Sequence, residues 1–403
     1  MKPLDLAMQP TAASAPSRRL TFVLVGNVAI GLMAMTICLP AMLDWGAVFG
    51  AGRAAVQATY GTFLVTFAVG QLVTGPLSDR VGRRPVLLGG LVLFVVASLG
   101  LASAGSIEAI ILGRAAQGAG ACATIVVARA LVQDLFEGAD RTRVLAYTGI
   151  AMGVTGPMGA VTGGYIHVQF GWQATFLLTA ALGAALMAAT ARVVRAKPRP
   201  LAAGRRLDGV FGGYLRLLRS PVFIAYVVSA AGCTATFYAY LGGAPMVLGD
   251  LGVATESVGW YLFFCSGAYT AGNWLTSRLA RRLSDHSLIG LGNASALIGA
   301  VAVLAVAFSG NSVALAFVAP VLLMGLGHGL IQPAALKGAT GVSAGDAGSA
   351  AAVSGALMQG GGAVAGYALG LLPVLDQTSM AVIMLITTLI SAFAALPLIP
   401  RRR

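Results

Sequence analysis

The chain has 403 residues, of which 58% are hydrophobic and only 10% are charged, and its mean hydropathy is +0.86. These values exclude an ordinary soluble domain and indicate an integral membrane protein. The formal net charge is +13, but the basic residues lie between apolar runs rather than in a patch with interleaved aromatic residues. A nucleic-acid partner is therefore not expected.

The cysteines give no sign of a metal site or a disulfide. All four, Cys38, Cys122, Cys233 and Cys265, lie inside apolar runs and lack the spacing of metal ligands. We interpret them as small packing residues and expect neither a metal nor a cofactor. The chain also has no nucleophile–base constellation, so an enzyme is not expected.

Twelve apolar segments of about 20 residues, the length that crosses a bilayer, follow one another along the chain. The first run follows Arg18 and Arg19 and is longer than the core of a cleaved signal peptide, so we expect a retained first span. The sequence therefore predicts an all-α integral membrane protein with twelve transmembrane helices. The predicted spans are 20–43, 55–77, 85–104, 107–131, 143–166, 172–193, 221–245, 257–279, 287–308, 312–336, 348–372 and 379–399.

Lysine and arginine are concentrated in alternate loops, which predicts on which side of the membrane each loop lies. The tails, the middle segment and every second loop contain nearly all of them, whereas the opposite loops contain a single basic residue, Arg53. Both termini are therefore predicted to be cytoplasmic.

One long polar segment divides the spans into two sets of six, which predicts two pseudo-symmetric six-helix bundles. Pro40 near the end of span one is matched by Pro245 near the end of span seven, as expected for a tandem duplication. The predicted parts are a cytoplasmic tail (1–19), a first bundle (20–193), a cytoplasmic linker (194–220), a second bundle (221–400) and a basic tail (401–403).

The segment between spans two and three runs from Gly70 to Pro85 and includes Asp79-Arg80-Val81-Gly82-Arg83-Arg84. We expect a cytoplasmic turn in which Asp79 accepts backbone N–H bonds at the start of the next helix. On charge alone, it is a basic turn of any multispan protein. The full pattern resembles the loop between spans two and three of the major facilitator superfamily of transporters. That resemblance implies a latch holding the cytoplasmic ends of the two halves together, formed by Gly70, Asp79, Arg80, Gly82, Arg83 and Arg84.

Span four contains Arg114-Ala115-Ala116-Gln117-Gly118. This places a guanidinium group about 10 Å from the outer end of the span, at 1.5 Å per residue. A charge at that depth faces a wet cavity or a polar partner, so Arg114 is either a functional group or a structural one that bonds carbonyl groups of another helix. The spacing resembles the span-four motif of drug:proton antiporters of the superfamily, which links the arginine to proton coupling.

Span five is rich in glycine and contains one proline. Small residues allow close helix packing, and proline allows a kink, so the span is suited both to packing and to movement. The pattern resembles the Gly-Pro and Gly-Gly motif of the antiporters, through Gly153, Gly156, Pro157, Gly159, Gly163 and Gly164.

Two further segments narrow the resemblance: the run from Ala128 to Phe136, which contains Arg129 and Asp134, and the run from Phe170 to Phe176. Together with the latch they resemble the Bcr/CflA subfamily, whose members export bicyclomycin, phenicols and sulfonamides in exchange for protons. The resemblance implies a multi-pass protein of the bacterial inner membrane. We interpret Arg129 and Asp134 as a structural pair at the cytoplasmic end of span four.

The chain departs from the subfamily in span one, where Asp-Met-Tyr-Leu-Pro is replaced by Thr36-Ile37-Cys38-Leu39-Pro40. None of the thirteen acidic residues lies in the interior of a predicted span, and Glu108 lies at the outer end of span four. Since a proton antiporter needs a titrating group, His328 in span ten is a candidate, although a lone buried histidine is commonly structural; Asp44 is another if span one is longer. The candidate substrate and proton-coupling residues are Arg114, Gln117, His328, Thr36, Tyr238 and Gln359.

The sequence therefore predicts a monomeric secondary transporter that exports small neutral or weakly anionic molecules, such as a phenicol antibiotic, in exchange for protons. Its expected partners are the small-molecule substrate, protons and the lipid bilayer. An importer or facilitator of a metabolite is the alternative, because it needs no embedded carboxylate. A membrane sensor or scaffold without transport is a third hypothesis, which the tandem halves disfavour.

Overall fold

The structure is a computed structural model that describes residues 18–194, 207–342, 347–372 and 374–398, without the side chains of 139, 142, 207–211, 347 and 348. The predicted tail 401–403 lies outside these ranges, and only Arg18 and Arg19 of the predicted tail 1–19 lie inside them, as the start of the first helix.

The described residues are helical, with short connections. The helices are α1 (Arg18–Thr36), α2 (Met42–Phe49), α3 (Arg53–Val81), α4 (Arg83–Ala102), α5 (Ile107–Leu135), α6 (Gly138–Phe170), α7 (Trp172–Val193), α8 (Leu207–Leu218), α9 (Pro221–Asp250), α10 (Thr255–Leu279), α11 (Asp285–Phe308), α12 (Ala314–Gly341), α13 (Ala347–Gly370) and α14 (Gln377–Ala395), followed by a 3₁₀ turn (Leu396–Leu398).

Twelve of these helices coincide with the twelve predicted spans. Ten are long and apolar enough to cross a membrane, and the other two, α10 and α13, have 25 and 24 residues. Both are rich in small and polar residues, and each packs against a helix of the other half of the chain.

The long helices form two packed groups. In the first, α1 packs on α5, α6 and α7, while α5 also packs on α3 and α4. In the second, α9 packs on α12, α13 and α14, while α12 also packs on α10 and α11. The groups meet mainly through two pairs, α3 with α13 and α6 with α10, and α9 of the second group also touches α2 and α3. We call the end of the molecule that carries the α3–α4 turn the predicted cytoplasmic end and the opposite end the predicted outer end.

Several helices begin where a side chain accepts an otherwise unpaired N–H group of the first turn. Ser106 accepts from Ala109 at 3.3 Å at the start of α5, and Ser220 accepts from Phe223 at 3.3 Å at the start of α9. Asp376 and Ser379 form a reciprocal capping box before α14. These caps fix the register in which each following apolar run enters the bundle.

The first predicted span differs from the structure. It was expected to run from 20 to 43, but α1 ends at Thr36, and turns over residues 37–41 lead into the short α2. Pro40 has no N–H group to continue the helix, and the Leu39 amide bonds the Thr36 carbonyl instead of that of Met35. The break therefore leaves carbonyl groups near the end of α1 in need of other donors.

The predicted linker also contains structure. Helix α8 lies within 194–220 and packs against α9 and α13, with Tyr214 and Leu217 buried. The linker is therefore attached to the second group of helices by apolar contacts.

Helix α6 approaches the broken end of α1 closely. A Cβ atom at Gly159 would lie 2.6 Å from the Thr36 hydroxyl oxygen, and one at Gly163 would overlap the Ile37 carbonyl oxygen. At Gly156, by contrast, a Cβ atom would meet no other atom within 4 Å. The glycines of the predicted motif thus differ in role. At Gly163, contact with the backbone of Ile37 leaves no room for a side chain.

This difference predicts opposite effects of the same substitution. Gly163→Ala should destabilise the protein by about 1–3 kcal/mol, because the methyl group forces α1 and α6 apart. Gly149→Ala is the matched control, since Gly149 is exposed on the same helix, a Cβ atom there also meets no other atom within 4 Å and no proline follows it; it should be neutral or stabilising by about 0.5–1 kcal/mol. Thermal unfolding of the purified protein in detergent measures both changes. Equal stability of the two variants would contradict the close contact.

Candidate functional site

The predicted latch is a network centred on Arg83. Its guanidinium group pairs with Asp79 at 2.6 Å and with Asp134 at 3.0 Å, and it donates to the Ser78 hydroxyl at 2.6 Å. Gly82 joins α3 to α4 with φ +106°, a conformation that glycine adopts without strain. This network ties the turn to the cytoplasmic end of α5.

The structure corrects the expected role of Asp79. It lies in the last turn of α3, four residues before Arg83, and no side chain caps the start of α4. Of the other latch residues, Arg84 donates to the Ala191 carbonyl of α7 at 2.9 Å, and Arg80 is exposed. Gly70 lies against Cys122, with 3.0 Å between a built Cβ atom and Sγ.

The latch reaches toward the second half of the chain through the linker helix. Burial, followed by the negative charge of Asp79, raises the pKa of the Tyr214 hydroxyl on α8. Tyr214 in turn belongs to an apolar cluster with Leu217, Phe223 and residues of α12 and α13. The charge of Asp79 therefore acts on the linker helix that joins the two halves.

Arg114 lies fully buried inside the first group of helices. Its Nη1 donates to the Ala34 carbonyl at 2.8 Å and to Gln117 Oε1 at 2.5 Å, and its Nη2 donates to the Met35 carbonyl at 3.4 Å. The guanidinium carbon lies 4.2 Å from the centre of the Phe63 ring. Of the two interpretations of Arg114, this geometry matches the structural one, an arginine that bonds carbonyl groups across helices.

The position of these carbonyl groups explains why an arginine is needed. Ala34 and Met35 precede the break in α1, so their oxygens lack the amide partners that a continuous helix would supply. A cation at a helix C-terminus is also favoured by the helix dipole. Gln117 completes the network by donating to the Ser98 hydroxyl at 2.9 Å.

Thr36 belongs to the same buried region. Its hydroxyl donates to the Gly156 carbonyl of α6 at 2.5 Å, which ties the end of α1 to the helix of the predicted antiporter motif. Three of the six candidate residues, Arg114, Gln117 and Thr36, are thus brought together within the first group, away from solvent.

His328 is placed in the second group. It is buried, and its Nε2 has no hydrogen-bond partner in the described part of the chain. It lines a small void of about 10 Å³ with Thr236, Tyr240 and Cys265. The void is about the size of one water molecule, so His328 does not face a substrate-sized space in this structure.

Tyr238 and Gln359 lie at the junction of the two groups. The Gln359 side chain interacts with the Tyr238 hydroxyl, and the Tyr238 ring lies 6.4 Å from that of Tyr60 on α3. One step further toward the predicted outer end, Gln57 donates to the Gly242 carbonyl of α9 at 2.9 Å. The two groups are therefore in direct contact in the outer part of the molecule.

The interface is different toward the predicted cytoplasmic end. There α5 and α12 do not form a packed pair in the described structure, and the Arg129 side chain on α5 is exposed to solvent. Arg129 faces Tyr269 of α10, in the other group, and contacts Met152 of α6. Arg129 is thus a solvent-exposed charge at the side of α5 that faces the second group.

The predicted pair of Arg129 with Asp134 is not formed. Asp134 instead accepts the salt bridge from Arg83. Residues five positions apart on a helix point in directions about 140° apart, so they do not share a face. The spacing of four between Asp79 and Arg83, which are paired, satisfies that rule.

Two polar groupings were not predicted. Across from Arg129, the Tyr269 hydroxyl donates to Gln332, whose amide donates to Thr234 at 2.9 Å. A signal was present, because Gln332 follows the candidate His328 by four residues and therefore lies on the same side of α12. The chain from Tyr269 to Thr234 gives the second group a polar wall.

The other grouping is an ion pair at the predicted outer end. His167 of α6 lies with Nε2 2.7 Å from Asp44 Oδ2 of α2, and the Asp44 side chain is 55% exposed. Asp44 was a candidate on the condition that span one extended to include it. In the structure α1 ends at Thr36, and Asp44 lies after the break, in α2. A sequence offers no local signal for this pair, because the two residues are 123 positions apart.

Acidic side chains are absent from the middle of the described helices. Each described acid of a long helix lies in a first or last turn, as Glu108, Asp134 and Asp250 do. The described residues also contain no group of three or more histidine, cysteine, aspartate or glutamate side chains that could hold a metal ion.

Two groups of long apolar helices, in contact through α3 and α13 and through α6 and α10 and with polar side chains between them, have the architecture of a membrane transporter. Residues 24–366 match the Major Facilitator Superfamily, and the chain belongs to that superfamily. The resemblance found in the sequence is thereby confirmed.

Named relatives cover most of the chain. It is 29% identical over 383 residues to "Multidrug resistance protein D" of Escherichia coli (strain K12), covering 95% of this chain and 96% of the relative. It is 32% identical over 317 residues to "Chloramphenicol resistance protein" of Pseudomonas aeruginosa, covering 76% and 73%. The crystal structure of a D-xylose-proton symporter has a TM-score of 0.78 at 14% identity, covering 95% of this chain and 98% of that one, which confirms the fold.

The Arg114 network predicts how a substitution separates the two interpretations of this residue. Arg114→Met should lower the unfolding temperature, because it leaves the Ala34 and Met35 carbonyl groups without donors at a cost of about 1–3 kcal/mol for each group. Arg143→Met, at an exposed arginine of α6, is the control and should change little. Unfolding in detergent and transport in vesicles are measured on the same preparations. Unchanged stability with transport abolished would assign Arg114 to coupling instead of capping.

Proposed function

We propose that this protein exports small neutral or weakly anionic molecules, including phenicol-like antibiotics, in exchange for protons. The observation that carries the proposal is the chemistry of the space between the two groups. Its walls supply hydroxyl, amide and aromatic groups and the cation of Arg129, and no acidic side chain of the described residues lies at that depth. Such a lining binds uncharged polar and anionic molecules and offers no partner to a cation.

The relatives support the nature of the substrate. Two proteins that match most of this chain are named for multidrug and chloramphenicol resistance. Chloramphenicol is neutral, aromatic and rich in hydrogen-bonding groups, which fits a wall formed by Phe237, Tyr269 and Gln332.

Alternating access is the mechanism that we propose. In this structure the halves touch through Gln57 and Tyr60 toward the predicted outer end, and the Arg129 side chain is exposed nearer the latch, which supports access to substrate from that end. Export requires the reverse arrangement, in which the latch end closes and the outer contacts part. We place both termini in the cytoplasm and the protein, as a monomer, in the bacterial inner membrane, in accord with the distribution of arginine and lysine.

Proton exchange requires a titrating group that water reaches. His328 is enclosed in a void of one water molecule, whereas Asp44 is exposed and in contact with His167. We therefore propose the Asp44–His167 pair as the entry site for protons. The pair links α2 to α6, and α6 packs on α10 of the other half.

Transport in proteoliposomes tests the function. With the protein reconstituted and a pH gradient imposed, we expect chloramphenicol to move against its concentration gradient, and a protonophore should abolish the movement. In cells that lack their own pumps, expression should raise resistance to chloramphenicol. Uptake of a metabolite with no effect on resistance would favour the second candidate, a metabolite importer or facilitator, which the scarcity of acids inside the helices also permits.

The proton site has its own prediction. Asp44→Asn should abolish transport driven by the pH gradient and leave downhill exchange of chloramphenicol intact, because the substrate space is unchanged. His328→Gln, which removes the enclosed histidine, should retain most of the driven transport. Initial rates with and without the gradient measure both variants. Loss of coupling in His328→Gln alone would place the proton site in the second group of helices.

A further inference from the structure

Arg129 combines a charge, water access and a place between the two groups of helices. It lies six residues before the end of α5, about 9 Å from that end at 1.5 Å per residue. Side chains on a helix lean toward its N-terminus, so the guanidinium group lies deeper than the backbone position. The side chain is nevertheless exposed to solvent.

The surroundings of Arg129 leave its charge without a carboxylate. Its side-chain hydrogen bond goes to the Met152 thioether, a weak acceptor, and its electrostatic neighbour is the Tyr269 hydroxyl. Among the described residues no acidic side chain forms a salt bridge with Arg129, and Asp134, the nearest acid on the same helix, pairs with Arg83. A guanidinium group in this setting is available to an anion.

The opposite wall is suited to the rest of such a ligand. Phe237 and Tyr269 present rings whose centres lie 6.2 Å apart, and the Gln332 and Thr234 side chains lie beside them. An aromatic molecule with an acidic or strongly accepting group can therefore bind between the walls. Its acidic group would meet the N–H groups at the edge of the arginine guanidinium plane, which bind a carboxylate with two parallel hydrogen bonds.

We propose that Arg129 is the anion anchor of the substrate site and makes this transporter select anionic and neutral aromatic molecules over cationic ones. This inference rests on the proposed function for the identity of the transported molecule. The binding of an anion at Arg129 does not depend on which drug is exported. Charge selection follows because an anion offsets the cost of a partly desolvated guanidinium group, whereas a cation meets a like charge.

A reporter cysteine measures the charge of the space without any assumption about the drug. Thr270 is exposed, follows Tyr269 on α10, and lies 3.2 Å from a Cβ atom built at Gly153, next to Met152. Thr270→Cys is labelled in the full-length protein with anionic sulfonatoethyl methanethiosulfonate or with cationic trimethylammonioethyl methanethiosulfonate. The four native cysteines are buried, and the protein without the reporter supplies the background rate.

We expect the ratio of anionic to cationic labelling rates to fall about tenfold in Arg129→Gln, since losing a nearby unit charge in water changes each rate about threefold, in opposite directions. Arg129→Glu should lower the ratio further, and Arg129→Lys should preserve it. Arg143→Gln, which removes an exposed charge elsewhere, should leave the ratio unchanged. An unchanged ratio in Arg129→Gln, or absence of labelling by either reagent, overturns the proposal.

The ligand class is tested by protection of the same cysteine. Chloramphenicol succinate, chloramphenicol and the amine base of chloramphenicol form a matched set of an anion, a neutral molecule and a cation. Only stronger protection by the succinate than by the amine, lost in Arg129→Gln, supports the anchor, and any other order overturns it. A shifted labelling ratio together with no chloramphenicol efflux would refute the proposed function and leave the anion site in place.

Discussion

The first half of the molecule depends on the contact of the Arg114 guanidinium group with the end of α1. Pro40 prevents the helix from continuing, and the carbonyl groups of Ala34 and Met35 would otherwise remain unpaired in an apolar interior. One buried arginine supplies the donors, and Gln117 and Phe63 hold it in place. The contact therefore stabilises the break between α1 and α2. The break in turn allows α1 to pack on α6 and Trp45 of α2 to pack on Trp172 and Phe176.

The two arginines of α5 differ in their exposure to solvent and in their partners. Arg114 is satisfied by backbone carbonyl groups and shielded from water, whereas Arg129 is open to the space between the halves. They lie 15 positions apart on one helix, at levels about 22 Å apart. A single helix thus carries a structural cation near one end and, by our proposal, a ligand-binding cation near the other.

Much of the fold could be predicted from the sequence, because each span is a long apolar run and the charges lie in the connections. The break at residue 36 could not, since Pro245, Pro320 and Pro333 lie inside unbroken helices and proline alone does not decide the outcome. The site was less predictable. The burial of Arg114, the partners of Arg129 and the Asp44–His167 pair depend on how distant helices face each other, which spacing within one helix does not encode. The Arg129–Asp134 prediction failed on a local rule, since a spacing of five separates the two side chains.

The matched prolines show that the two halves differ in their backbone. Pro245 lies inside α9, which continues as one helix from Pro221 to Asp250, while its counterpart Pro40 lies between two separate helices. The tandem halves are therefore not equivalent at their outer ends. The interruption belongs to the half that also carries the Asp44–His167 pair.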